Sequence, residues 1–359
     1  MDRKKNMKRV PDASISGDIE VERTPSSLPV PASSRGLYYA VDTNPRVLFE
    51  LRRSISSVRR YASTLPIYAV IAGEPSADDR RFLDSANVTV IAGNIDGGTS
   101  PTFMKWRALA ELPPQDDLLY LDTDTLVFDD PSSLFDLIGH EDFHARLEIA
   151  CDSDPSSYPM LINVRLLARS NVDHDLFRSI AQHLGVRLVP IFNTGIMLFR
   201  NGLAHRLGNH WKDFVRIERQ FRHKQLPYPC LAAHLLEEMV APLVLGGVDS
   251  FTWRLLEPEL CPFYAEYRGR NVKTHGTILH TWAQHYDSCV FEFIGKDDAL
   301  AYQALRSNGS AISGLVTQIN ARKLLLGSMW MRFPKSLLER WLRNGASSFR
   351  RRQGEAKVL

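Results

Sequence analysis

Between residues 36 and 128 the apolar residues come in short blocks whose spacing alternates between that of a buried strand and that of a helix. Leu37-Tyr38-Tyr39-Ala40-Val41 is one apolar run, and it breaks at Asp42-Thr43-Asn44-Pro45, as a buried strand does on entering a loop. Next, Leu48, Leu51, Ile55 and Val58 recur at three- and four-residue steps, with Arg52, Arg53, Arg59 and Arg60 on the other positions. That spacing predicts an amphipathic helix. Further strands are predicted at Ile67 to Ala72, Val88 to Ala92 and Leu118 to Leu121, and a helix over Thr102 to Leu112 that Pro113-Pro114 closes. Such alternation predicts an α/β fold around a mainly parallel sheet, covered by helices on both faces. Ligands of these sheets bind beyond the carboxyl ends of the strands, which here means 42–44 and 122–124.

Composition divides the chain further. Residues 1–35 are rich in Ser, Pro and charge, lack an apolar period and read as a disordered leader. Residues 36–300 form the expected main folded domain, followed by a helical segment at 301–345 and a basic tail at 346–359. The basic N-terminus lacks the apolar middle of a secretory signal, and no run of about 18 apolar residues would span a membrane. Four widely spaced cysteines form no CxxC pair, which fits a reducing, cytoplasmic setting.

The net charge of +3 is uneven: residues 321–359 hold ten Lys and Arg against two Glu. The central region carries 27 basic and 34 acidic residues, the opposite sign from a nucleic-acid-binding core, so no nucleic-acid partner is expected. Near the C-terminus, Leu337, Leu338, Trp341 and Leu342 share a helical face with Arg340 and Arg343 beside it, and Arg350-Arg351-Arg352 follow. This pattern suits peripheral contact with an anionic membrane. It also suits a helix packed on the main domain with a solvated tail.

The chemistry concentrates in Asp117-Leu118-Leu119-Tyr120-Leu121-Asp122-Thr123-Asp124-Thr125-Leu126-Val127-Phe128. Residues i and i+2 of an extended chain project to one side, so Asp122 and Asp124 can share one ion. Carboxylate oxygens suit Mg²⁺ or Mn²⁺, which also bind substrate phosphates. The alternative is that the pair caps a turn or meets a nearby Arg. Two other D-x-D triplets compete. Asp152-Ser153-Asp154 lies in a Ser/Pro loop, and in Asp173-His174-Asp175 the first residue is placed to cap a helix starting near Asp175. Only Asp122 and Asp124 sit between apolar strands at the predicted crevice.

LLYLDTDTLVFDDPSSLF and the later Phe192-Asn193-Thr194-Gly195-Ile196-Met197-Leu198-Phe199 resemble two segments of the GT-A-fold nucleotide-sugar glycosyltransferases, closest to the family-eight type. The likeness runs patchily from Leu37 to Trp282. It implies a GT-A type fold with a C-terminal helical extension, a nucleoside-diphosphate sugar donor (UDP-sugar by the family), Mn²⁺ or Mg²⁺, and retention of configuration. The acceptor would be a glycan or a lipid-linked molecule. By resemblance, Ala40, Asp42 and Asn44 match the loop that holds nucleobase and ribose, although Pro45 stands where the family often has an aromatic. Lys105 falls where the family places an Arg, to serve the phosphates with Asp122.

Asp122, Asp124 and His280 match the metal ligands. However, Trp282-Ala283-Gln284-His285-Tyr286 replaces the family's downstream Gly and Lys-Pro-Trp pattern. A packed, hydrogen-bonded His280 is the other reading, and His285 is a weaker substitute. Asn193 and Glu238 match positions near the reacting sugar. Among rival functions, a sugar-phosphate nucleotidyltransferase would need a Gly-rich loop after the first strand, which Asp42-Thr43-Asn44-Pro45 is not. A two-metal phosphodiesterase would need a second Asp/His cluster. A non-catalytic nucleotide- or carbohydrate-binding protein on the same fold stays open.

Overall fold

The computed structural model describes residues 34–93, 103–149, 173–229, 236–264, 267, 276–281 and 286–307. The leader up to residue 33, the Asp152–Asp154 triplet, His285 and everything after residue 307, including the proposed membrane-contact segment, lie outside the described residues.

Strands β1 (Arg35–Asp42), β2 (Ile67–Ala72), β3 (Val88–Ala92) and β4 (Asp117–Leu121) run parallel in the order β3-β2-β1-β4. β7 (Ile191–Phe199) joins antiparallel to β4, β6 (Phe143–Ile149) antiparallel to β7, and β8 (Trp253–Leu255) parallel to β6, giving seven strands. β5 (Thr125–Val127) and β9 (Ile278–His280) form a separate antiparallel pair. The architecture is α/β with a mainly parallel sheet, as the apolar blocks predicted.

Helices cover both faces, so β1 and β4 are apolar on both sides: Tyr38, Tyr39, Leu119 and Tyr120 are all buried. On one face lie α1 (Pro45–Tyr61), α2 (Ala77–Ser85) and α4 (Leu134–Leu137). Asn44 caps α1 by accepting from Arg46 N at 3.0 Å, and Pro45 opens it. The buried side of α1 holds Leu48, Leu51, Ile55 and Val58 as predicted, and also Glu50 and Ser54.

The other face carries α3 (Met104–Ala108), α5 (His174–His183), α6 (Leu203–Asn209), α7 (Trp211–Arg222) and α8 (Leu236–Gly246). Its core centres on Trp106, whose ring stacks on Phe214 at 4.6 Å. Asp173 caps α5 by accepting from Leu176 N at 2.9 Å, the capping role read for it. α9 (Tyr286–Phe293) and α10 (Lys296–Ser307) extend the domain and pack on α1 through Tyr286, Tyr302 and Phe49.

One element differs from the sequence reading. α3 ends at Ala108, and the chain to Leu112 winds on in turns, with Ala110 N and Glu111 N bonded three residues back at 3.0 and 2.9 Å. Pro113-Pro114 disfavours helical backbone just before it. The apolar residues from Leu231 that lead into Glu237-Glu238 lie outside the described residues up to 235, and α8 is described from Leu236.

Candidate active site

At the carboxyl end of β4 the chain leaves the sheet, and Asp122 N donates to Gly195 C=O of β7 at 2.7 Å. After Asp124 it pairs with β9, placing Thr125 opposite His280. Thr281 secures this junction, with its N–H and hydroxyl both donating to Asp124 C=O at 3.0 and 2.8 Å. The small two-stranded ladder is therefore what brings a histidine from far along the chain to the acidic loop. Ligand atoms of Asp122, Asp124 and His280 all lie within 4.8 Å of one another. His280 Nε2 is 3.2 Å from Asp124 Oδ1 and 3.9 Å from Asp122 Oδ2.

Gly195 makes room for the imidazole. A Cβ at that position would stand 2.1 Å from His280 Cε1 and 2.7 Å from each ring nitrogen. The glycine of Phe192-Asn193-Thr194-Gly195 is thus required by His280, a link that neither segment displays by itself. Burial alone would lower the His280 pKa, but Asp124 and Asp122 outweigh it and hold the imidazole above its ordinary value. Two carboxylate oxygens and one imidazole nitrogen, within reach of a single point, fit a divalent ion such as Mn²⁺ or Mg²⁺.

Lys105 from α3 is buried beside this cluster. Its ammonium lies 3.1 Å from Asp122 Oδ1, 3.1 Å from both Thr194 oxygens and 3.4 Å from Glu237 Oε2. Burial would raise the Asp122 carboxyl, yet Lys105 and His280 together depress it. The Tyr120 hydroxyl donates to the same Asp122 oxygen at 2.5 Å. Glu237 is buried against Lys105 and accepts from Trp106 Nε1 and Thr194 Oγ1, each at 2.8 Å. Its carboxyl is pushed up by burial, which Lys105 only partly offsets. Glu238 accepts from Asn193 Nδ2 at 3.1 Å, and Asn193 Oδ1 accepts from Gly195 N at 3.0 Å.

The structure therefore gathers Asp122, Asp124, His280, Lys105, Asn193 and Glu238 in one place. Ala40 and Asp42 end β1 at the same carboxyl edge of the sheet. Asp42 accepts from Asn44 N at 3.0 Å in a local turn, and the Asn44 side chain is engaged as the α1 cap. Glu237 escaped the sequence reading because adjacent helical Glu residues usually face solvent. Its position one residue before Glu238, among the apolar residues of the same helix, was the available signal.

No family model and no curated protein matches the chain. Solved structures that it resembles include galactosyltransferase LgtC in complex with donor and acceptor sugar analogs, at TM-score 0.44 and 15% identity, covering 69% of this chain and 87% of that one. Mouse xyloside xylosyltransferase 1 gives TM-score 0.42 and 13% identity, covering 70% of this chain and 98% of that one. The WbbM bifunctional glycosyltransferase gives 0.46 and 14%, covering 81% of this chain and 52% of that one. These likenesses are loose, and the chemistry of the site rests on its own side chains. Among the described residues no helix is long and apolar enough to cross a membrane.

Proposed function

We propose that this chain is a metal-dependent glycosyltransferase that takes its sugar from a nucleoside-diphosphate donor, with UDP-sugar the expected form. The observation that carries the reading is the convergence of Asp122, Asp124 and His280 within 4.8 Å at the carboxyl edge of the sheet. Those three residues would hold Mn²⁺ or Mg²⁺. A bound divalent ion supplies positive charge against the diphosphate as it leaves. Lys105 keeps Asp122 ionised and aims it, and adds fixed positive charge on the phosphate side. Asn193 and Glu238 form a hydrogen-bonded pair that orients the sugar, with Glu238 as the carboxylate nearest the reacting carbon. Ala40, Asp42 and Asn44 form the nucleoside end of the crevice.

Retention of configuration follows the family-eight resemblance, and the acceptor is a glycan or a lipid-linked molecule. A cytoplasmic enzyme, reaching an anionic membrane face through residues 321–359, completes the reading. The test is a panel of nucleotide sugars assayed for nucleotide release with Mn²⁺ or with chelator. Release that depends on metal and disappears in Asp124→Asn is the expected result. Tight nucleotide binding without any turnover across the panel would favour the non-catalytic binding protein instead.

A further inference from the structure

Helix α1 carries polar groups that its apolar period does not explain. Glu50 is 4% exposed and Ser54 fully buried, positions where a helix packed on a sheet would ordinarily place Leu or Ala. Their partners share a pattern. Glu50 Oε2 accepts from Thr123 Oγ1 at 2.8 Å, the Ser54 hydroxyl meets Thr125 Oγ1 at 3.0 Å, and Ser57 Oγ accepts from Val127 N at 2.9 Å. Helix positions 50, 54 and 57 thus engage chain positions 123, 125 and 127.

The helix steps from 50 to 54 and from 54 to 57 are single turns of about 6 and 4.5 Å, so the three side chains form one polar stripe along α1. Asp122 and Asp124 lie in the turn between β4 and β5, with their carboxylates on His280. Thr125 Oγ1 also donates to Asp122 C=O at 2.8 Å, which tightens the turn between the two aspartates.

The second oxygen of Glu50 faces elsewhere. Oε1 accepts from the Tyr302 hydroxyl of α10 at 2.6 Å, and Arg46 Nε lies 3.8 Å away. An ion pair between Arg53 and Asp298 fastens the same two helices nearby, and the Tyr302 ring packs 4.6 Å from Tyr286. Burial and the neighbouring Asp124 push the Glu50 carboxyl up to about 7. A carboxyl kept at that cost has both of its oxygens in use.

We propose that Glu50 is a positioning residue for the metal ligands, bracketing the Asp122–Asp124 loop to helix α10 through Thr123 on one side and Tyr302 on the other. The inference rests on the metal reading of the site. It makes α10 part of the metal-binding apparatus, although α10 contributes no ligand.

The experiment measures Mn²⁺ affinity by calorimetry, alongside thermal stability, in the full chain. Glu50→Leu removes both bonds, and Thr123→Val and Tyr302→Phe each delete one hydroxyl. Glu50→Gln retains the bracket, because its amide can accept from one hydroxyl and donate to the other. Glu50→Leu and Thr123→Val should weaken Mn²⁺ about tenfold, and Tyr302→Phe should also weaken it, whereas Glu50→Gln should stay within about threefold of the parent. Thr123 and Tyr302 communicate through Glu50, so the double variant should lose less than the product of the two single losses.

Parent-like Mn²⁺ affinity in Glu50→Leu overturns the proposal. Should that variant fail to fold, Thr123→Val and Tyr302→Phe decide, and unchanged affinity in either overturns it. Asp124→Asn separates the two levels. Its loss of Mn²⁺ beside a parent-like Glu50→Leu defeats the bracket alone, whereas a parent chain that binds no Mn²⁺ defeats the metal reading and the bracket with it.

Discussion

Gly195→Ala adds one methyl group to a strand whose backbone accepts it, since Gly195 is not among the residues with positive φ. Its effect is therefore steric. The new carbon would lie 2.1 Å from His280 Cε1, about 1.4 Å inside the ~3.5 Å at which carbon atoms rest in contact. The imidazole is confined on its other sides. Phe263 packs 5.7 Å from it, centre to centre, and the backbone of His280 is paired with Thr125. Relief has to come from turning the ring, and that moves Nε2 from its place 3.2 Å from Asp124. Metal–ligand distances tolerate about 0.2 Å, so a shift approaching 1 Å ends ligation.

Overpacking of this kind costs about 1–3 kcal/mol of stability. Mn²⁺ affinity should fall by about 10- to 100-fold, leaving Asp122 and Asp124 with a water in the vacated position. The assay is calorimetric titration of Gly195→Ala, His280→Ala and the double variant. Once His280 is gone the methyl group has space, so the double variant should bind Mn²⁺ as His280→Ala does. Gly195→Ala with parent-like affinity would refute the reasoning, and so would a double variant that loses a further tenfold.

Three other outcomes follow from the same geometry. Lys105→Met strands the carboxylates of Asp122 and Glu237 without their shared cation and should destabilise the fold by about 3–5 kcal/mol. Denaturant melts check this, and Lys105→Met/Glu237→Gln should recover part of the loss. His280, faced by Asp124, Asp122 and Lys105, has a folded pKa held above its unfolded one. Its contribution to the ion-free protein is complete below the unfolded value near 6.5 and is lost as pH rises through the folded value. Melts in chelator should therefore show stability declining across that window, with a shallower decline in His280→Gln, while Mn²⁺ affinity climbs because ligation needs the neutral ring. Asn193→Ala should lower kcat for nucleotide release without changing Mn²⁺ affinity. A matching fall in metal affinity would assign Asn193 to the metal loop instead of the sugar.

Apolar spacing made the parallel half of the sheet legible. Ile67–Ala72 and Val88–Ala92 appear with the limits read for them, because a strand buried on both faces must be a short, uninterrupted apolar run. The return half, β7 with β6 and β8, was less visible. Antiparallel pairing and the bulges between Ala145 and Arg146 and between Leu147 and Ile149 depend on partners distant in sequence, and no local period encodes them. α3 was read too long for a related reason: amphipathic spacing continued to Leu112 although the backbone had already turned.

The acidic pair was legible because its chemistry is local, two carboxylates two residues apart at the end of a strand. His280 could be reached only through a resemblance, since a lone histidine after an apolar run carries no signal of its own. What brings it to the acidic pair is the register of β5 against β9, and the residues that accommodate that register are divided among three distant segments. Thr123, Thr125, Gly195 and His280-Thr281 each look ordinary alone. Together they define one arrangement: the hydroxyl of Thr281 ties the Asp124 backbone, the missing side chain of Gly195 admits the ring, and the polar stripe of α1 turns the aspartates toward it. A site of this kind is specified less by its ligands than by the small and polar residues that leave them no other geometry. For that reason Gly195 and Glu50 carry as much of the functional argument as Asp122 and Asp124.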